Sequence, residues 1–376
     1  MVGRFARDVP PFLRTPVSPE ATRIQVQRDL ARREARFLDV AERLIYRNPR
    51  SPYRRLLQHA GCELGDLRQL VTQDGIEGAL RTLAARGVSV TFDEFKGRRE
   101  IERGSLRFAV HASDFDNPLA RPHFARHTMG RSLEGVMPVV GGEPVTQDRR
   151  RTIETAGARI TVIYSSVELT GLSYSCSVAQ SPDDVHLMTH RFAVVQQLRA
   201  VSAGGPVVDA LLLTTLTPWA AKVAFNTELG DYGRVEERTC GCLLGLRTHL
   251  TDVRSYEKLT GEGVTFVRTN PEQLVERTLP ARFGGTSLDY QLTEEEAPGG
   301  ITRLVLRIHP AVGEVDEADV HAVVLAELGR EDLVARYHAD LWQQAGTVQI
   351  RREPPLATQA GKVLPLHLLQ RSERRV

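Results

Sequence analysis

Residues 240–263, CGCLLGLRTHLTDVRSYEKLTGEG, lie where the character of the sequence changes. The stretch opens with two of the four cysteines and closes with two glycines that flank a glutamate. Before it, short apolar strands alternate with helical patterns, and after it a compact set of strands and helices follows. Such a change of pattern is typical of a domain boundary. The sequence predicts a large α/β domain over 1–257 and a small α+β domain over 258–376.

The first part of the chain carries both helical and strand patterns. Apolar residues at helical spacing predict a helix in 19–47, two short helices in 64–86 and a helix in 146–158. GVSVTFDEF at 87–95 alternates like a strand, and ITVIYSSVE at 160–168 reads as a buried strand that runs into a polar turn. A helix followed by an apolar strand favours alternating α/β layering.

Two hairpins are predicted further along the chain. The sequence SPDD at 181–184 is a turn between two apolar strand patterns. EEEAPGG at 294–300 joins two strands in the same way. Helical patterns at 316–329 and 330–345 follow, so the second part of the chain has an α+β pattern.

Composition argues against two classes of partner. The formal net charge is +2, and lysine and arginine are interspersed with acidic residues, so no basic stripe indicates a nucleic-acid partner. The N-terminus lacks the apolar region of a signal peptide, and no apolar run reaches the length of a membrane span. The sequence therefore predicts a cytoplasmic protein without a membrane partner. Thiols stay reduced there, so the four cysteines are expected in the core or as metal ligands.

The cysteines suggest one metal site. Cys176 and His186 flank the SPDD turn, and Cys240 and Cys242 are separated by one glycine. These four residues form a Cys₃His set suited to a structural, tetrahedral Zn²⁺, with His249 as the alternative fourth ligand. The competing interpretation is that the thiols pack in the core and His186 is a satisfied core histidine. Cys62, alone in HAGCELGD, fits that second interpretation.

Five short motifs are spread along the chain in a fixed order. They are VGGEPVT at 140–146, IYSSVE at 163–168, NTELGDYG at 226–233, VRSYEKLTGEG at 253–263 and PPLATQAGK at 354–362. In this order they resemble the phenylacetate–coenzyme A ligase-like branch of the adenylate-forming superfamily. Residues 45–67 and 91–105 are similar to ligases of the same branch, so the resemblance covers nearly the whole chain.

The resemblance implies an activity and its cofactors. Ligases of this kind activate a carboxylic acid with ATP and Mg²⁺, release pyrophosphate and pass the acyl group to a thiol such as coenzyme A. Their fold is a large α/β domain followed by a small mobile α+β domain. Forming an acyl-adenylate brings a carboxylate to a polyanion, so cations must offset the charge at the α-phosphate.

The resemblance also assigns residues to the nucleotide. The adenine side is lined by Gly141, Gly142, Glu143 and Pro144, with Tyr164 stacked near the base. Asp231 accepts both ribose hydroxyls, and Arg254 reaches the same sugar. Each type of residue also has an ordinary structural explanation: glycines relieve a strand-to-helix turn, a tyrosine packs in the core, and an aspartate beside glycine favours a turn.

Three further residues carry catalytic or mechanical roles by resemblance. Glu168 holds Mg²⁺, and a glutamate at the end of a buried strand needs a partner in any case. Lys362 is the lysine of the small domain that reaches the acyl carboxylate and the α-phosphate, a role that suits a mobile point charge. Glu257 lies at the hinge on which the small domain rotates, although exposed glutamates usually belong to the surface.

The chain departs from the family pattern in the phosphate loop. A Ser/Thr/Gly-rich loop is expected after FDNP at 115–118, but here HTMG at 127–130 is soon followed by the GGEP strand. The elements that the family places between them are absent, which predicts an internal deletion near 127–135 and an incomplete sheet. Val167 also stands where the family has a threonine before Glu168.

Two hypotheses follow from this gap. The chain is either a shortened acid–thiol ligase or a catalytically inactive remnant that acts as a binding or partner module. Losing inner elements of a sheet exposes apolar edges, which would favour a homodimer. A nucleotide-binding protein of Rossmann type is a weaker alternative, because VVGGEP lacks the Gly-x-Gly-x-x-Gly spacing.

Overall fold

The computed structural model describes residues 18–119, 139–140, 147–155, 157–158, 160–166, 168–201, 207–256, 266, 269–297, 301–330, 333–344, 346–357 and 363–367. Within them the chain is a mixed α/β protein with several sheets, as the sequence predicts. Residues 141–144, the segment 127–135, Glu257 and Lys362 lie outside the described residues. The predicted boundary at 257/258 also lies outside them and stays a prediction.

The N-terminal part is helical. Its helices are α1 (Pro19–Ala31), α2 (Arg33–Val40), which continues as a π-helix over Ala41–Tyr46, α3 (Pro52–His59) and α4 (Leu64–Ala85). Gly75 interrupts α4 with φ of +68°, a backbone conformation that favours glycine. This break confirms the prediction of two short helices in 64–86.

The predicted strand over 87–95 is wrong. Only Val90 makes a bridge, to Thr227, and the chain then turns into helix α5 (Phe92–Phe95). Thr91 Oγ1 accepts from the Glu94 N–H at 3.4 Å, and the Glu94 carboxylate accepts from the Thr91 N–H at 2.8 Å. This capping box starts a helix at the point where the apolar alternation predicted a strand.

A parallel pair of strands lies on either side of one helix. After the β1 (Ile101–Arg103) and β2 (Leu106–Phe108) hairpin and a 3₁₀ turn at Ala112–Phe115, β3 (Val139–Val140), α6 (Gln147–Thr155) and β4 (Thr161–Val162) follow. β3 pairs with β4 in parallel, so α6 is the crossover of a βαβ unit. The predicted α/β layering is present here, although the strand at 160–168 is shorter than predicted.

The largest sheet has six strands. They are β5 (Ser173–Ser175), β6 (Val185–Leu187), β7 (Phe192–Ala200), β8 (Val207–Thr215), β9 (Thr227–Glu237) and β10 (Thr248–Ser255). The order is β5-β6-β10-β9-β8-β7, and every neighbouring pair is antiparallel. β5 and β6 form the hairpin predicted around SPDD, which brings that turn beside β10.

The C-terminal part has its own sheet. Helical turns at Pro271–Gln273, Leu274–Thr278 and Leu279–Phe283 precede β11 (Tyr290–Ala297), β12 (Ile301–Ile308), α7 (Glu317–Leu328), α8 (Leu333–Gln344), β13 (Val348–Arg351) and β14 (Leu366–His367). β11 and β12 form the predicted hairpin, and β13 and β14 add to them in parallel. None of the helices in the described ranges combines the length and apolar character needed to cross a bilayer.

Candidate nucleotide face and metal centre

Four predicted metal ligands come together at one end of the β5–β6 hairpin. Cys176, His186, Cys240 and Cys242, hereafter the metal cluster, place one ligand atom each within 4.8 Å of all the others. His186 Nε2 lies 3.0 Å from Cys242 Sγ and 3.5 Å from Cys240 Sγ. Zn–S bonds of about 2.3 Å and Zn–N bonds of about 2.0 Å imply ligand separations of about 3.5–3.8 Å in a tetrahedron. The donor atoms therefore lie at nearly the separation that a tetrahedral ion requires.

Local backbone geometry turns both chain segments toward this point. Gly241 has φ of +73°, which lets the loop between β9 and β10 reverse between its two cysteines. The Cys242 N–H donates to Cys240 Sγ at 3.4 Å, and the Val178 N–H donates to Cys176 Sγ at 3.3 Å. Cys176 and Cys240 thus each accept a hydrogen bond from a backbone N–H two residues further along the chain.

The protonation states differ across the metal cluster. Burial raises the pKa of the Cys176 thiol to about 12. Burial also acts to raise the pKa of Cys240, but the Cys242 N–H and the neighbouring thiols outweigh it and hold the pKa below its usual value. Burial, followed by the charge of His249, lowers the pKa of His186 to about 4. His186 is therefore neutral at pH 7, which is the form that binds metals.

Polar and charged side chains lie beside the metal cluster. Asp184 is fully buried, forms an ion pair with Arg238, and has its Oδ1 2.7 Å from His249 Nδ1. Burial acts to raise the pKa of Asp184, but hydrogen bonds from the Gln180 N–H, His249 and Arg238 together outweigh it and hold the pKa below its usual value. His249 stands opposite His186 in the β6–β10 register, with ring centroids 4.1 Å apart. His249 thus lies next to the ligands and against Asp184.

Sequence reasoning missed Asp184 and Arg238 as neighbours of these cysteines. The only hint in the sequence is the second aspartate of SPDD, and the turn pattern explains that residue without any metal site. Cys176, Asp184 and His249 also form a second group whose ligand atoms lie within 4.8 Å of one another. Because Asp184 already binds Arg238 and accepts from the Gln180 N–H at 2.8 Å, it is less available to a metal.

Two residues from separate motifs, Tyr164 and Asp231, are in contact. Together with Glu168 we call them the nucleotide face, after the role that the resemblance assigns to all three. The Tyr164 hydroxyl donates to Asp231 Oδ2 at 2.9 Å, although 67 residues separate them in sequence. Tyr164 is held by Ser173, whose hydroxyl accepts from the Tyr164 N–H at 2.7 Å. Burial, and then the charge of Asp231, raises the pKa of Tyr164 well above its usual value, so the hydroxyl stays protonated and donates.

Glu168 is paired with a cation. It forms an ion pair with Lys96, the residue that ends helix α5. Burial acts to raise the pKa of Glu168, but the hydrogen bond and charge of Lys96, together with hydrogen bonds from the backbone and Ser166, leave the pKa below its usual value. The residue assigned to Mg²⁺ is thus ionised at neutral pH and already has a counter-charge.

Arg254 lies away from the Tyr164–Asp231 pair. On β10 it stands opposite Tyr232, whereas Ser255 stands opposite Asp231. Directly opposite residues share a face of the sheet and successive residues alternate, so Arg254 and Asp231 project to opposite faces. The guanidinium instead lies 3.5 Å from Asp183 Oδ2 and donates to the Val253 carbonyl at 3.1 Å.

A buried carboxyl on β9 was not identified from the sequence. Glu228 is 3% exposed, accepts from the Tyr256 hydroxyl at 3.0 Å and lies 3.4 Å from Arg199 Nε. Burial raises the pKa of Glu228 above its usual value. It lies three residues before Asp231 in the motif NTELGDYG, and the motif gives it no role.

Comparisons with known proteins gave structural matches at low sequence identity. No protein-family model matches the chain, and no curated protein sequence does. Solved structures that match include 2-hydroxyisobutyryl-CoA ligase in complex with 2-HIB-AMP and CoA, at 12% identity and TM-score 0.31, covering 61% of this chain and 48% of that one. The GH3.15 acyl acid amido synthetase matches at 11% identity and TM-score 0.36, covering 61% and 45%.

A third matching structure is the amide bond synthetase McbA from Marinactinospora thermotolerans, at 16% identity and TM-score 0.32, covering 60% of this chain and 44% of that one. The chain thus spans about half the length of the solved structures it matches.

Proposed function

We propose that the protein binds an adenine nucleotide at the nucleotide face and activates a carboxylic acid as its acyl-adenylate, for transfer to a thiol such as coenzyme A. One observation carries this proposal. Tyr164 and Asp231, assigned by two separate motifs to the base and the ribose, lie in hydrogen-bond contact at 2.9 Å. This contact joins two motifs that lie far apart in the sequence, as a shared nucleotide site requires.

The side chains present suit the polar parts of a nucleotide. Ribose hydroxyls would replace the Tyr164 hydroxyl as donors to Asp231, which leaves the tyrosine ring beside the base. Glu168 would hold Mg²⁺, which neutralises the developing charge on the phosphates. Lys96, next to Glu168, would supply a further cation there, and Lys362 would bring a mobile one with the small domain. Residues 141–144 would complete the adenine side.

A second candidate function is a nucleotide-binding module without ligase activity. The ion pair between Glu168 and Lys96 favours it, because the carboxylate already has a cation that Mg²⁺ would have to displace. The predicted absence of the phosphate loop also favours this module, as does Val167 at a position where the family has a threonine. In that case ATP or AMP would bind, but no acid would be activated.

ATP–pyrophosphate exchange across a panel of aryl and acyl acids separates these candidates. Exchange with any acid supports the ligase, whereas nucleotide binding by calorimetry without exchange supports the module. Asp231→Asn is the matched variant, since it keeps the shape and removes the acceptor charge, and it should weaken ATP binding by about tenfold. A wild-type protein that binds neither ATP nor AMP would reject both candidates.

We also propose that the metal cluster binds one structural Zn²⁺. Three thiols and a neutral imidazole whose donor atoms lie within 4.8 Å of one another support this assignment. The His186 nitrogen that faces the thiols is Nε2, 3.0 Å from Cys242 Sγ, so the imidazole presents a ligand atom to the site. Four protein ligands leave no open position, so the ion would stabilise the fold rather than catalyse.

A further inference from the structure

The SPDD turn, residues 181–184, lies between the metal cluster and the segments assigned to the nucleotide. Cys176 and His186 flank it in sequence, and the Cys176 N–H donates to the Asp184 carbonyl at 3.2 Å. Asp184 faces inward to Arg238 and His249. The backbone of the turn is therefore tied directly to the hairpin that carries two of the four ligands.

The other aspartate of the turn contacts β10. Asp183 Oδ2 accepts from the Asp252 N–H at 3.0 Å and lies 3.5 Å from Arg254 Nη1, while Asp183 Oδ1 accepts from the Ser181 hydroxyl at 2.8 Å. Asp252 and Val253 together oppose Gly233 in a bulge, and Asp252 has φ of +53°. Asp183 thus supports the bulge that sets where β10 runs beside Asp231.

The turn also contacts the helix that follows the predicted adenine motif. Arg150 on α6 donates to the Pro182 carbonyl at 2.8 Å. α6 begins at Gln147, directly after VGGEPVT. One four-residue turn therefore touches both the helix that directly follows the adenine motif, through Pro182, and the strand β10 that pairs with Asp231, through Asp183.

We infer that the metal cluster positions the nucleotide face through the SPDD turn, with Asp183 and Arg150 as positioning residues, so that metal and nucleotide bind with positive coupling. This inference rests on the proposed function, since it requires both ligands. A metal held by Cys176 and His186 fixes the turn, and the fixed turn holds α6 and the β10 bulge in place. A nucleotide then loses less conformational freedom on binding, which raises its affinity. Coupling between two sites is reciprocal, so ATP must also retain the metal.

Competition for zinc with a chromogenic chelator at equilibrium, with and without saturating ATP, measures this coupling. In the wild type ATP should tighten zinc binding at least fivefold, which is the lower end of typical coupling between sites. Asp183→Asn should retain one equivalent of zinc but lose the effect of ATP. Asp252→Asn is the control, because its side chain is 57% exposed, asparagine tolerates positive φ, and the N–H to Asp183 remains. It should behave like the wild type.

Arg150→Gln tests the same coupling from α6, well outside the ligand set, and should reduce the effect of ATP. If Asp183→Asn fails to hold zinc, this second variant decides, and an unchanged ATP effect would overturn the inference. A wild type that binds ATP but holds zinc with the same affinity with and without it rejects the inference alone. A wild type that binds no ATP, or takes up no zinc, rejects the proposed function on which it rests.

Discussion

The metal cluster and the nucleotide face satisfy their polar groups in different ways. Around the metal cluster, three thiols and His186 Nε2 converge on one point where an ion could bind all four. At the nucleotide face, Asp231 accepts from Tyr164 and Glu168 pairs with Lys96. A metal ion would give the first region bonds that no group of the protein supplies. A nucleotide in the second region would have to replace hydrogen bonds and an ion pair that already exist.

This difference predicts two kinds of response. A ligand that completes a donor set adds its full binding free energy to folding, as metals do in small metal-binding domains. A ligand that displaces internal hydrogen bonds gains only the difference between new and old partners. Substitutions at the metal cluster should therefore change stability most, and substitutions at the nucleotide face should change affinity or rate.

The largest effect is expected from Cys242→Ser. Replacing a thiolate by a weakly binding hydroxyl should reduce zinc from about one equivalent to a small fraction, and unfolding free energy should fall by about 3 kcal/mol. Elemental analysis and thermal melting measure both quantities. Cys62→Ser, which changes a buried thiol outside the metal cluster, should keep the zinc. A metal-free wild type as stable as Cys242→Ser would leave the four residues as ordinary core.

Lys362→Ala tests whether the nucleotide face serves catalysis. A cation removed only from the transition state should lower the adenylation rate by about a hundredfold, while the dissociation constant for ATP changes little. Single-turnover adenylation and calorimetry measure the two. An equal loss of rate and affinity would place Lys362 in ground-state binding, and no loss of either would remove it from the site.

Tyr164→Phe separates the two roles of the tyrosine. The ring is retained, but Asp231 loses one internal donor, so a ribose hydroxyl has less to displace. We expect ATP to bind about two- to fivefold more tightly and the protein to unfold at a slightly lower temperature. Tyr164→Ala, which also removes the ring, should weaken binding instead. Tighter binding by both variants would show that the ring does not contact the nucleotide.

The smallest effect concerns the pH dependence of stability. The folded-state pKa of Glu168 lies below its usual value because of Lys96, so its contribution is present above the unfolded pKa near 4.3 and is lost as pH falls through the folded value. Lys96→Gln should flatten the decline in melting temperature between about pH 5 and pH 3. Lys222→Gln, beside the exposed Asp116, is the control and should keep the wild-type decline. Parallel profiles for all three proteins would contradict the role of the ion pair.

Local patterns predicted much of the fold. The two hairpins follow from turn residues between apolar runs, and the break of α4 follows from Gly75, because these signals act within a few residues. The strand predicted over 87–95 failed for an equally local reason. Thr91 and Glu94 form a capping box, and that pair of hydrogen bonds outweighed the alternation of apolar residues.

The donor types of the metal cluster could be selected from spacing, since few residues bind zinc and each pair lies within one turn. The charged residues around them could not be predicted from spacing in the sequence. Asp184 and Arg238 are 54 residues apart, and only the pairing of β6 with β10 and of β10 with β9 brings them together. No local rule relates residues whose distance depends on the order of strands.

Sequence by itself determined which residue types carry chemistry and which segments form helices and hairpins. These depend on side-chain chemistry and on interactions between near neighbours. Only the tertiary structure decided which of those residues meet: that Tyr164 contacts Asp231, that His249 stands behind His186, and that Arg254 faces Asp183 rather than Asp231. The physical reason is register, because one bulge at Asp252–Val253 sets which face each following side chain occupies.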